Sequence, residues 1–214
     1  MEKIRILCYG DSNTWGHIPG TEHDRYDNQT RWTARLQNML GEKFEVISEG
    51  LCARTLDSDD ERWVYGNANG LKYFGPSVYS HDPLDFVIIM LGTNELKDMF
   101  NRSAENIAKS MEDGYIVFLK NELSKALIKE PKIVVVAPPV VRGELYKGPS
   151  TFLQANEKSK KLNILYQKLS EKYGCLFVDN EGLDVGCDGL HMSKVSHKNL
   201  AEKVYNCIVN QINN

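Results

Sequence analysis

Two blocks of this chain, Phe86-Val87-Ile88-Ile89-Met90-Leu91 and Ile133-Val134-Val135-Val136-Ala137, constrain its fold more than any other feature. Neither alternates apolar with polar residues, so neither suits a strand with one wet face. Unbroken aliphatic runs of this length fit strands covered on both sides, as in a parallel sheet between helices. Ile4 to Tyr9, Phe44 to Ile47 and, more weakly, Cys175 to Val178 add three further strand-like runs. Helix-period stripes lie between them. Trp32, Leu36, Met39 and Leu40 form one, ending near Gly41. Ile107, Met111, Ile116, Leu119, Leu123 and Leu127 occupy a long segment stopped by Pro131. Leu162, Leu165, Tyr166 and Leu169 form a third, closed by Gly174, and a last runs from Ser193 through Leu200, Val204 and Ile208. This alternation predicts a doubly wound α/β fold, a three-layer α/β/α sandwich around a five-stranded parallel sheet with right-handed crossovers. With 214 residues the chain suits a single domain, residues 1–214. In such sheets ligands bind beyond the C-terminal strand ends.

Composition narrows the partners. A formal net charge of -3, with both signs scattered, gives no footprint for nucleic acid or an anionic membrane. No apolar stretch approaches the ~18 residues of a membrane span, and the Ile4–Tyr9 run is too short for a signal-peptide core. Five cysteines (Cys8, Cys52, Cys175, Cys187, Cys207) lack metal-type spacing and read as reduced thiols of a cytoplasmic protein. Neither the cysteines nor the histidines imply a metal, and no phosphate loop or dinucleotide fingerprint follows the first strand, so no cofactor is expected.

Four strand-end segments carry chemistry. Gly10-Asp11-Ser12-Asn13-Thr14 places Ser12 just after the first strand, where the dipole of a following helix favours an oxyanion. Alone it could equally be a helix cap or turn. It is not the Gly-x-Ser-x-Gly elbow, since Thr14 stands at the second glycine. The loop Glu49-Gly50-Leu51-Cys52-Ala53-Arg54-Thr55 has small residues whose N–H groups a substrate can approach. Gly92-Thr93-Asn94 offers the Asn94 amide as a donor. Asp188-Gly189-Leu190-His191 spaces a carboxylate and an imidazole so that one imidazole nitrogen meets Asp188 and the other is free to take a serine proton. Each segment alone is ambiguous with a turn; their conjunction at one sheet edge specifies an acyl-transfer site.

In this order the four segments resemble the sequence blocks of the SGNH/GDSL hydrolases. The similarity sharpens toward the bacterial arylesterase/acyltransferase branch through Arg5 to Gly16, Arg31-Trp32-Thr33, Phe44 to Thr55 and Pro83 to Asn94, and it is weakest between about Lys97 and Lys172. The resemblance implies a flavodoxin-like sheet and a serine esterase for small acyl, aryl or acetyl esters, possessing acyl-transfer capacity and forming homo-oligomers. It assigns Ser12, Asp188 and His191 as a triad, and an oxyanion hole to Ser12, Ala53 and Asn94. Gly50 is the rival to Ala53. Trp15, Leu190 and Phe152 are expected at the acyl and alcohol pockets. Asn13 replaces the leucine of the GDSL name and is expected to modify the pocket.

Other residues read as scaffold. Asp11 should fix the nucleophile turn by bonding loop N–H groups. His17, His23, His81 and His197 read as surface or loop residues, Glu95-Leu96-Lys97 and Lys158 to Lys161 as solvated helix faces. The segment Tyr65 to Asp82 could border the entrance or pack against another subunit. Two competitors remain: an O-acetylesterase of carbohydrates or metabolites using the same three residues, and a flavodoxin-like domain that binds without catalysis.

Overall fold

The computed structural model describes residues 3–213. Its five strands are β1 (Ile4–Gly10), β2 (Phe44–Gly50), β3 (Phe86–Met90), β4 (Lys132–Val136) and β5 (Leu176–Val178). They form one parallel sheet in the order β2-β1-β3-β4-β5. The chain steps from β1 outward to β2, then returns to the other side of β1 for β3. That reversal opens a crevice between the ends of β1 and β3, where doubly wound sheets bind ligands. Among the described residues, seven α-helices complete the layers: α1 (Ser12–Trp15), α2 (Trp32–Leu40), α3 (Leu71–Ser80), α4 (Ala104–Met111), α5 (Phe118–Asn121), α6 (Ala155–Tyr173) and α7 (Lys194–Asn213).

The unbroken apolar runs are explained by two cores, one on each face of the sheet. Leu7, Tyr9, Val87, Ile89 and Val135 pack with Phe74 and Val78 of α3, Ile107 and Met111 of α4, and Leu162 and Tyr166 of α6. Their strand neighbours Ile6, Cys8, Ile88, Met90, Val134 and Val136 face the other way, onto Trp32 and Leu36 of α2 and Leu200, Val204 and Ile208 of α7. Every residue of β3 is buried. Fully burying one such side chain contributes about 1.5–3 kcal/mol, so these blocks anchor the strand ends that carry the site.

Three differences from the sequence reading have physical causes. The expected long helix before Pro131 is broken: α4 passes into a π-helical turn (Glu112–Val117) before α5. Met111 and Ile116 are five residues apart, one more than an α-helical stripe allows, and an i→i+5 turn brings both into the core. The Tyr65 to Asp82 segment contains α3, whose Gly75 and Pro76 disguise a helix with Phe74 and Val78 on its inner face. Glu95-Leu96-Lys97 is no solvated face. All three residues are buried, Glu95 completely. No helix among the described residues is long and apolar enough to cross a membrane.

Candidate active site

Ser12 is the first residue of α1, directly beyond the Gly10 end of β1. The tight turn is built locally. Asp11 caps α1 by accepting the Asn13 N–H at 2.9 Å, the scaffold role expected of it. Burial pushes the Asp11 carboxyl up to about 6, against the opposing pull of that hydrogen bond. A Cβ on Gly10 would lie 2.1 Å from Thr14 Oγ1, and one on Gly50 would lie 2.2 Å from the Trp15 backbone nitrogen. Both glycines are therefore there for close packing of α1 onto the strand ends. With one turn only, α1 has little macrodipole, so any oxyanion here depends on discrete donors.

The fold brings the predicted Asp188 and His191 to Ser12. His191 Nε2 lies 3.0 Å from Ser12 Oγ, and His191 Nδ1 lies 2.8 Å from Asp188 Oδ2. Asp188 Oδ1 accepts the Leu190 and His191 N–H groups, each at 3.0 Å, and Oδ2 also accepts the Gly20 N–H at 3.1 Å. Burial pushes this carboxyl up, but the His191 imidazole and these N–H donors outweigh it and hold Asp188 well below the usual carboxylate range. Gly189 makes the turn between them possible: its φ is +72°, and a Cβ would lie 2.1 Å from the Arg142 carbonyl oxygen.

Ala53 sits in the loop after β2 with φ +63°, an uncommon conformation for a residue with a Cβ. Asn94, just past β3, is buried and donates its side-chain amide to the Arg54 carbonyl at 3.0 Å, which ties the two loops together. Among the described residues neither the Ser12 nor the Ala53 N–H donates to a protein acceptor. Gly50, by contrast, stands in the β2 ladder opposite Gly10.

Several side chains do what the sequence did not reveal. Asn13 does not line a pocket wall. Its buried amide accepts the Met192 N–H at 2.8 Å and reaches the Leu190 carbonyl at 3.4 Å, clamping both sides of His191. His17 is no surface residue: its buried ring packs against His191, with centroids 4.1 Å apart and planes tilted by 37°, and Trp15 continues the array 6.2 Å from His17. Burial, then the nearby His191, lowers the His17 pKa, which favours a neutral ring beside the site. Ligand atoms of His17, Asp188 and His191 fall within 4.8 Å of one another, but both His191 nitrogens already face protein partners, Ser12 and Asp188. His197 is fully buried, accepts the Trp32 N–H at 3.3 Å and is pushed down to about 3 by burial. His81 is half-buried and His23 exposed, as read from sequence. Leu190 and Phe152 are buried members of the α3/α4/α6 core, so packing is their observed role. Trp15 is half-buried, with the Arg25 guanidinium 4.9 Å over its ring.

The first strand of the parallel sheet thus ends at a buried serine that meets an imidazole–carboxylate pair. The model of the GDSL-like lipase/acylhydrolase family matches residues 8–198. An aryl esterase of M. smegmatis is 32% identical, with a TM-score of 0.86 over 97% of this chain and 99% of that one. A carbohydrate acetylesterase of Sinorhizobium meliloti is 33% identical, with a TM-score of 0.85 over 98% of this chain and all of the other. A lipase/acylhydrolase of Enterococcus faecalis, 18% identical over 97% of this chain and 96% of that one, shares the fold with a TM-score of 0.68. None of the curated proteins compared matches the chain. The chain belongs to the GDSL-like lipase/acylhydrolase family and is a carboxylic ester hydrolase.

Proposed function

We propose that the protein hydrolyses small carboxylic esters through an acyl-enzyme on Ser12. The observation that carries this reading is the unbroken relay from Ser12 Oγ through His191 to Asp188, at 3.0 and 2.8 Å. Ser12 Oγ attacks the ester carbonyl as His191 Nε2 takes its proton, and Asp188 holds the Nδ1–H tautomer and stabilises the imidazolium. The Ser12 and Ala53 N–H groups and the Asn94 amide receive the oxyanion. The tetrahedral adduct then collapses, the alcohol leaves with the proton from His191, and the acyl group stays on Ser12. Water, activated by the same imidazole, releases the acid; an alcohol in its place gives acyl transfer. No step needs a metal or cofactor. Free thiols at all five cysteines suit a reducing compartment.

Short acyl esters of aryl and simple alcohols are the substrate class we favour. A second reading, O-acetylated carbohydrate, is favoured by the 33% identity to the Sinorhizobium meliloti acetylesterase. An ester panel varying acyl length and alcohol, with Ser12→Ala as blank, separates them. Preference for p-nitrophenyl acetate over acetylated sugars supports the first, the reverse supports the second, and no turnover of any ester rejects both.

A further inference from the structure

The Ala53 N–H belongs to a planar peptide unit whose other end is the Cys52 carbonyl. In a trans peptide the two point in opposite directions, so whatever holds the Cys52 oxygen aims the Ala53 N–H. The φ of +63° at Ala53 is not a conformation alanine adopts on its own account, and such backbone persists where its surroundings fix it.

Tyr65 supplies that restraint: its phenolic O–H donates to the Cys52 carbonyl. The ring sits in a turn where Trp63 and Gly66 pair, the Gly66 N–H reaching the Trp63 carbonyl at 2.9 Å. Tyr65 also stacks on Trp63, with centroids 6.0 Å apart and planes 10° from parallel. Asp60 anchors the turn. It accepts Arg62 Nε and Nη2 at 2.7 and 2.8 Å and the buried Lys97 ammonium at 3.2 Å. Lys97 follows closely on Asn94 and lies 5.7 Å from the Trp63 ring centre. One turn thus touches both loops that carry oxyanion donors, at Cys52 and at Lys97. Burial raises the Tyr65 pKa, so the hydroxyl keeps its proton at neutral pH.

We propose that Tyr65 is a positioning residue for acyl transfer, orienting the Ala53 N–H toward the oxyanion through the Cys52–Ala53 peptide. This rests on the esterase reading above. Its contribution appears as charge develops on the carbonyl oxygen, so it belongs to kcat and not to substrate binding.

Tyr65→Phe removes the hydroxyl and keeps the ring stack on a side chain that is 42% exposed. We expect kcat for p-nitrophenyl acetate to fall about ten-fold with KM within about two-fold. The decisive readout is the rate ratio between an ester and its thionoester. Sulfur accepts hydrogen bonds poorly, so that ratio reports oxyanion-hole alignment and is independent of how much of the sample is folded. A fall in the ratio of about ten-fold in Tyr65→Phe supports the proposal. An unchanged ratio, or a loss confined to KM, overturns it. Ser12→Ala, assayed alongside, keeps the two readings apart: activity there rejects the serine mechanism itself, whereas an inactive Ser12→Ala beside an unaffected Tyr65→Phe rejects only the role of Tyr65.

Discussion

The Ser12 turn and the Ala53 loop meet at one sheet edge but are held in different ways. Around Ser12 the restraints on the turn are short-range: the Asp11 cap on the Asn13 N–H, α1 itself, and Gly10, which admits Thr14. Around Ala53 they come from far along the chain, from Tyr65 on the Cys52 carbonyl and from Asn94 on the Arg54 carbonyl. His191 resembles the second case, since Asn13, 177 and 179 positions away from its partners, clamps the loop on both sides. The same function therefore combines a self-sufficient turn with loops that depend on remote hydrogen bonds. Damage to a remote bond should reduce catalysis before it reduces stability.

The contrast can be broken most forcefully at Asn94. Asn94→Ala deletes the proposed oxyanion donor together with the link to Arg54, and kcat should fall ~10²–10³-fold. Steady-state kinetics on p-nitrophenyl acetate check this, and a loss expressed only in KM would move Asn94 out of the oxyanion hole. Next in size, Asn13→Ala frees the Met192 N–H and the Leu190 carbonyl. It should cost about 1–3 kcal/mol of stability, and kcat should drop through a looser His191. Urea denaturation and kinetics together test it; wild-type values in both would show that the clamp is dispensable.

An effect on stability alone, with no change expected in kcat, concerns Glu95, beside Asn94. Its carboxyl accepts the Leu56 N–H, while Oε2 has no partner. Burial pushes its pKa up to about 8. The unfolded chain releases this proton near the ordinary glutamate value, whereas the native state keeps it. Native stability from this group is thus fully present below pH ~4.3 and is lost as pH rises to about 8. Glu95→Gln retains the acceptor and removes the titration. Its urea midpoint should gain on the wild type between pH 5 and pH 8, and parallel midpoints across that range would refute the assignment.

How much of this was legible in the sequence follows the same division. The strands were readable because burial on both faces demands unbroken apolar runs; the meeting of Ser12, Asp188 and His191 was readable only from several ambiguous segments taken together at one sheet edge. Three features were hidden for definite reasons. Helix α3 carries Gly75 and Pro76, which mask its apolar face. The π-turn corrects a one-residue misfit in spacing that looks like ordinary helix period. His17, Asn13 and Tyr65 act on groups 174, 177 and 13 positions away, and no local pattern encodes such partners. The five-residue gap from Met111 to Ile116 was the one available signal among these.

The central claim is a covalent bond to one oxygen, and it can be read directly by mass. Intact protein treated with a fluorophosphonate should gain a single adduct, located by peptide mapping on Ser12, and Ser12→Ala should gain none while losing ester turnover. An adduct on a different residue, or wild-type turnover in Ser12→Ala, would contradict the account.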